Sequence, residues 1–198
     1  MLSAQQGRTL VRLARQSIEQ HLGKTPSHPV SDEELNQPAF TEKQGVFVTL
    51  HKGDNLRGCI GSLIGVESIV DGIKRNALNA AFHDFRFSPL TEEELPLLHV
   101  EISVLTEPAP LPYERAEDLL TLLTPHQDGV ILEGPGQARA TFLPQVWQQL
   151  PGVEQFLEHL CRKAGLDAFN WRRGEVRIST YQVQSFEEPP ESVTANDH

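Results

Sequence analysis

The chain has 198 residues, a formal net charge of −10 and a pI near 5.2. A chain of this length buries about 70% of its unfolded surface, so it needs neither disulfide nor metal to fold; its 38% apolar content excludes a disordered chain. The acidic balance argues against non-specific binding to a phosphate backbone, which needs a field of Lys and Arg.

In chain order, Leu10, Leu13, Ala14, Ile18 and Leu22 predict a first helix, capped near Ser3 and stopped at Gly23. Residues 24–44 carry Pro26, Pro29 and Pro38 and read as an extended loop. Gly45 to His51 and Leu56 to Leu63 predict two strands joined by the turn Lys52-Gly53-Asp54-Asn55. Val66 to Phe82 predicts a second helix with an apolar stripe. Thr91 with Glu94 fits a capping box for a short helix ended by Pro96. Leu98 to Thr106 predicts a third strand, and Pro108, Pro110 and Pro112 a stiff link between two lobes, with a junction near 106–113. Residues 114–123 suit a short helix. Gly129–Glu133 and Ala138–Phe142 form a second hairpin, turned at Gly134-Pro135-Gly136. Pro144 opens a short helix, Val153 to Ala164 a longer one ended at Gly165, and Glu175 to Phe186 a final strand.

Hairpins and helices without a βαβ repeat predict an α+β fold: a two-lobed domain over 1–188 with a mixed or antiparallel sheet and flanking helices. Residues 189–198 are expected to form a disordered tail. No stretch approaches the ~20 apolar residues of a membrane span. The N-terminus carries no charged-then-apolar signal segment, which predicts a cytoplasmic protein with Cys59 and Cys161 reduced.

The chemically unusual segment is Leu56-Arg57-Gly58-Cys59-Ile60-Gly61. Two glycines three apart weaken a strand and mark a bulge or a close approach of another group. Alternation puts Arg57, Cys59 and Gly61 on one face: a cation, a thiol and an empty place, with Arg57 roughly 7 Å from Cys59. A guanidinium that close favours thiolate, which is a nucleophile, a metal ligand or a redox centre. The alternative stays open that Cys59 is a small core hydrophobe and that the glycines only admit a neighbouring helix. Cys161, beside Leu160 in a helix, reads as structural.

From Leu56 to Gly61 the sequence resembles the AMMECR-one domain family, also called AmmeMemoRadiSam system protein A. The resemblance continues through Asp84, Arg86, Phe87, Pro89 and Leu90, Glu93-Glu94-Leu95, Val100–Leu105, Asp128-Gly129-Val130, Ala140–Trp147, Phe156-Leu157, Lys163–Leu166 and Trp171. It covers about residues 5–188. The resemblance implies an α+β domain of two unequal lobes with a cleft between them. It also implies the company of a Memo-like protein and a radical-SAM protein in a modification pathway, and no established activity.

Two functional readings follow. In the first, the chain is a ligand- or protein-binding module with a cleft floored by Leu56, Gly58, Ile60 and Gly61, and walled by Asp84, Arg86 and Asp128. In the second, Cys59 is a catalytic nucleophile or redox thiol with Arg57 lowering its pKa. Asp84 and Arg86 also admit a plain structural role, pinning their loop as an ion pair. His126 is not required by the resemblance. Glu92-Glu93-Glu94 reads as a solvated helix start. Trp147 and Trp171 read as core or lobe contacts. The cysteines show no zinc spacing, and Gly134-Pro135-Gly136 lacks the lysine of a phosphate loop. No cofactor, nucleic acid or membrane partner is expected; a small ligand fits the first reading.

Overall fold

The structure, a computed structural model, describes residues 1–189. The expected disordered tail lies, from Pro190 onward, outside the described residues. The chain folds as two compact units, one built from residues 1–104 with the segment from 184, the other from residues 105–183. Helices and an antiparallel sheet make the fold α+β.

The first unit opens on α1 (Ala4–His21), where Ser3 and Gln6 form a reciprocal cap. The loop expected at 24–44 contains two single-turn helices, α2 (Asp32–Leu35) and α3 (Pro38–Thr41). Their signals are a capping box from Ser31 to Glu34 and a proline in the first turn. Next come β1 (Gly45–Lys52) and β2 (Asn55–Ser62), an antiparallel hairpin, and α4 (Ile69–Phe82). This last helix starts three residues later than Val66, because the Ser68 hydroxyl accepts the Asp71 N–H and fixes the cap. At Thr91–Glu94 there is no α-helix, only a tighter turn at Leu95–Leu97. Glu94 still accepts the Thr91 N–H at 3.3 Å while pairing with Arg57, but the turn it caps continues only as far as Leu97, with Pro96 inside it. β3 (Leu98–Leu105) completes this part of the sheet, in the order β2-β1-β3. Leu10, Ile18, Val48, Leu50, Ile73 and Ile102 are fully buried in its core.

The second unit contains β4 (Ala109–Pro110), α5 (Leu119–Leu122), β5 (Asp128–Glu133), β6 (Arg139–Phe142), α6 (Val153–Lys163) and most of β7 (Arg177–Glu187). β5 pairs antiparallel with both β6 and β7. Trp147, Phe156, Leu157, Leu160 and Trp171 fill its own core. The end of β7, from Gln184, returns to the first unit, where the backbones of Glu188 and Val100 are joined by a hydrogen bond.

Candidate functional site

β2 is the edge of the sheet, so among the described residues one side of its backbone has no neighbouring strand. Its register against β1 pairs Leu50 with Gly58, Thr49 with Cys59 and Phe47 with Gly61. Gly58 faces α4: a Cβ there would stand 2.1 Å from the Ala80 carbonyl oxygen, so only glycine fits. Ile60, on the same face, packs against the core.

The opposite face departs from expectation at two points. Gly61 is not an empty place. A Cβ there would meet the Phe47 ring at 2.3 Å, so the ring of the cross-strand partner covers the glycine. Nor does Arg57 turn to the thiol. Its Nε and Nη2 donate to the two carboxylate oxygens of Glu94, each at 2.9 Å, and Nη2 also donates to the Ser88 carbonyl at 2.9 Å. A forked guanidinium satisfies a carboxylate better than a distant sulfur. The pair holds Arg57 above its ordinary value and pulls Glu94 down to about 2, with Lys52 adding a contact at 3.2 Å. Nη1 of Arg57 is buried without a hydrogen-bond partner among the described residues.

Cys59 is half-buried, its Sγ 3.3 Å from the Thr49 hydroxyl. Its backbone points off the open edge of β2 and is met by side chains. The N–H donates to Asp84 Oδ2 at 2.9 Å, and the carbonyl accepts from Arg86 Nη2 at 3.2 Å. Asp84 is buried and also takes Arg86 Nη2 at 2.6 Å, Nε at 2.9 Å and the Arg86 N–H at 3.2 Å. These bonds, the Arg86 guanidinium first, hold the Asp84 carboxyl well below the usual carboxylate range. Asp84 in turn raises Arg86, with a smaller contribution from Cys59. Asp84 and Arg86 thus stand where a further strand would pair, and they carry the loop-pinning role. The cation beside Cys59 is Arg86, not Arg57.

Phe87 lies between the two arginines, with guanidinium carbons 5.8 Å (Arg57) and 5.5 Å (Arg86) from its ring centre. Phe85 is 94% exposed and Leu56 40% exposed. Two cavities of this unit, of 210 and 430 Å³, are lined by α1 and its neighbours and not by residues 56–61.

Asp128 belongs to the second unit. Its carboxylate accepts the Thr124 N–H at 2.7 Å, and its carbonyl accepts Trp147 Nε1 at 2.7 Å, so it secures its own loop. Trp147 and Trp171 are core residues, and burial pushes the Cys161 thiol up.

The sequence pattern did not single out Thr49, Phe47, Ser88 or Glu94 as members of this site. Glu94 read as a solvated helix start, and the ion pair that claims it spans 37 residues. Among the described residues, no group of three or more His, Cys, Asp or Glu is placed to hold a metal ion, and no helix is long and apolar enough to cross a membrane.

A protein of Methanothermobacter thermautotrophicus is 42% identical over 188 residues, covering 94% of this chain and 96% of its own. Protein MJ0810 of Methanocaldococcus jannaschii is 36% identical, with 95% and 92% covered. The crystal structure of the uncharacterized protein PH0010 from Pyrococcus horikoshii superposes with a TM-score of 0.79 at 34% identity, over 94% of this chain and 93% of that one. None of these names states an activity. The AMMECR1 family model matches residues 11–186, and the chain belongs to the AMMECR1 family.

Proposed function

We propose that the first unit is a ligand- or protein-binding module. Its recognition site is floored by Leu56–Gly61 and flanked by Phe85, Arg86 and Phe87, and it acts with Memo-like and radical-SAM proteins in a modification pathway. One observation carries this reading. The charged groups of the motif are engaged in internal pairs, Arg57 with Glu94 and Asp84 with Arg86, while Phe85 beside them stands 94% exposed. A fixed charged frame around an exposed aromatic suits recognition, where rigid anchors supply most of the binding energy. Asp128 has no part in the proposal, being engaged at Thr124.

Calorimetric titration with the purified Memo-like and radical-SAM proteins tests it. Saturable binding to at least one is expected, unchanged in Cys59→Ser and weakened about tenfold or more in Phe85→Ala. Absence of heat with both proteins, or full affinity in Phe85→Ala, overturns it. The second reading, Cys59 as nucleophile or redox thiol, rests on the partial exposure of the sulfur and on Arg86 beside it. It gains if Cys59→Ser binds its partners normally yet fails to restore function in cells.

A further inference from the structure

The two ion pairs of the motif share one asymmetry: their acceptors are full and their donors are not. Glu94 Oε1 accepts Lys52 Nζ at 3.2 Å and Arg57 Nε at 2.9 Å, and Oε2 accepts Arg57 Nη2 at 2.9 Å and the Thr91 N–H at 3.3 Å. Asp84 Oδ1 accepts the Arg86 N–H at 3.2 Å and Nε at 2.9 Å, and Oδ2 accepts the Cys59 N–H at 2.9 Å and Arg86 Nη2 at 2.6 Å. A carboxylate has about four acceptor sites, so both are saturated. The arginines are engaged alike, at Nε and Nη2. Alike they leave Nη1 without a hydrogen-bond partner among the described residues.

The surplus has a sign. Three cations, Lys52, Arg57 and Arg86, meet two carboxylates, Glu94 and Asp84, in a chain whose formal charge is −10. The next acids along the chain are engaged elsewhere, Glu92 with Lys24 and Glu93 with Thr91. The unmet donors are grouped. Each Nη1 is one bond from a guanidinium carbon, and those carbons lie 5.8 and 5.5 Å from one ring centre, that of Phe87. The Arg57 end is buried, whereas Arg86 and Lys52 each keep 44% of the side chain in solvent. Phe85, next to Arg86 in the chain, is exposed. An occupant offering donors finds no free acceptor on either carboxylate. An occupant offering a carboxylate meets a guanidinium already held in place by Asp84, so little side-chain entropy is lost on binding.

We propose that the Leu56–Gly61 surface takes an acidic segment of a partner protein, a carboxylate seated on Nη1 of Arg86 and an apolar side chain against Phe85. The inference rests on the recognition reading given above and names the chemistry of its partner. The net charge of −10 does not oppose it, since exposed charges more than about 8 Å apart are largely screened at physiological salt. At contact range the local surplus of donors decides.

Amide NMR of the full chain, titrated with acetyl-Leu-Glu-Phe-Glu amide, its glutamine and lysine counterparts and inorganic phosphate, tests it. The acidic peptide is expected to shift the Phe85, Arg86 and Phe87 signals to saturation. It should bind about tenfold more tightly than the glutamine peptide, and more weakly as salt is raised. The lysine peptide should leave the signals in place. Arg86→Lys keeps the charge and loses the fork, and should bind the acidic peptide about tenfold more weakly. That variant also gives up bonds to Asp84, so Lys52→Gln provides a second measure. It removes one cation of the surplus, leaves both arginine pairs in place, and should bind about threefold more weakly. Equal affinity for the acidic and glutamine peptides, lysine-peptide binding as tight, saturation by phosphate alone, or full affinity in either variant overturns the proposal. Phe85→Ala separates it from the reading beneath. If the glutamine peptide binds as tightly as the acidic one and is lost in Phe85→Ala, the recognition surface stands and only its preference for acid falls. If no peptide binds, the inference falls alone, because the surface itself is tested by whole proteins.

Discussion

The core of the second unit and the motif of the first are held in place by different physics. In the second unit Trp147 stacks on Phe156 with ring centres 3.6 Å apart, and Phe142 meets Phe156 edge-on at 5.2 Å. Trp147 and Phe156 are fully buried, and the stabilisation is area and contact. At the motif, position is set by ion pairs and hydrogen bonds: Arg57 on Glu94, and Asp84 with Arg86 on the Cys59 peptide. Apolar packing tolerates small adjustments, whereas a buried charged network fails when one member is removed. The contrast locates the motif's rigidity in side-chain pairs and leaves its aromatic Phe85 outside them.

The largest expected effect breaks the apolar side. Trp147→Ala removes the stacked ring and leaves the Asp128 carbonyl without its donor, and should cost about 3–5 kcal/mol in denaturant unfolding of the second unit. Next, Asp84→Ala strips the Cys59 N–H and Arg86 of their shared partner. A loss of about 2–4 kcal/mol is expected in the first unit, with faster amide exchange at Cys59. An unchanged first-unit transition would mean that the charged frame is not what holds the motif. Gly58→Ala sets a methyl against backbone that cannot turn aside, and should cost about 1–3 kcal/mol.

A smaller effect depends on pH. Glu94 has its carboxyl pulled from 4.5 to about 2, chiefly by Arg57. A depressed acid stabilises the fold above its unfolded value and loses that contribution as pH falls through its folded value. The Arg57–Glu94 contribution is therefore complete above about 4.5 and fades towards about 2. Glu94→Gln should flatten the stability profile of the first unit across that window; a profile as steep as the wild type's would contradict the pairing.

What the sequence reveals follows the same contrast. Local patterns are legible: the α1 stripe, the β1–β2 hairpin, the second hairpin and the α6 stripe all appear near their expected places. So does one face of β2, with Gly58 and Ile60 toward α4 and the core, whereas a register shift opposite Leu50 and His51 leaves Arg57 without a cross-strand partner. The single-turn helices α2 and α3 are hidden among prolines, although Ser31 and Glu34 mark the first. Long-range pairing is not legible. Nothing within a few residues of Arg57 indicates that it will choose Glu94, and strand alternation alone places it over Cys59. Gly61 shows the same limit, since a missing side chain does not tell whether a ligand or the neighbouring Phe47 ring occupies the space.

The most direct test of the account is the pH profile of Cys59 alkylation in the wild type and in Arg57→Gln, with the fully buried Cys161 silent in the folded chain. The guanidinium of Arg57 belongs to Glu94, so the two profiles should coincide. A variant profile displaced to higher pH would return Arg57 to the thiol and contradict the reading of this motif as a recognition surface.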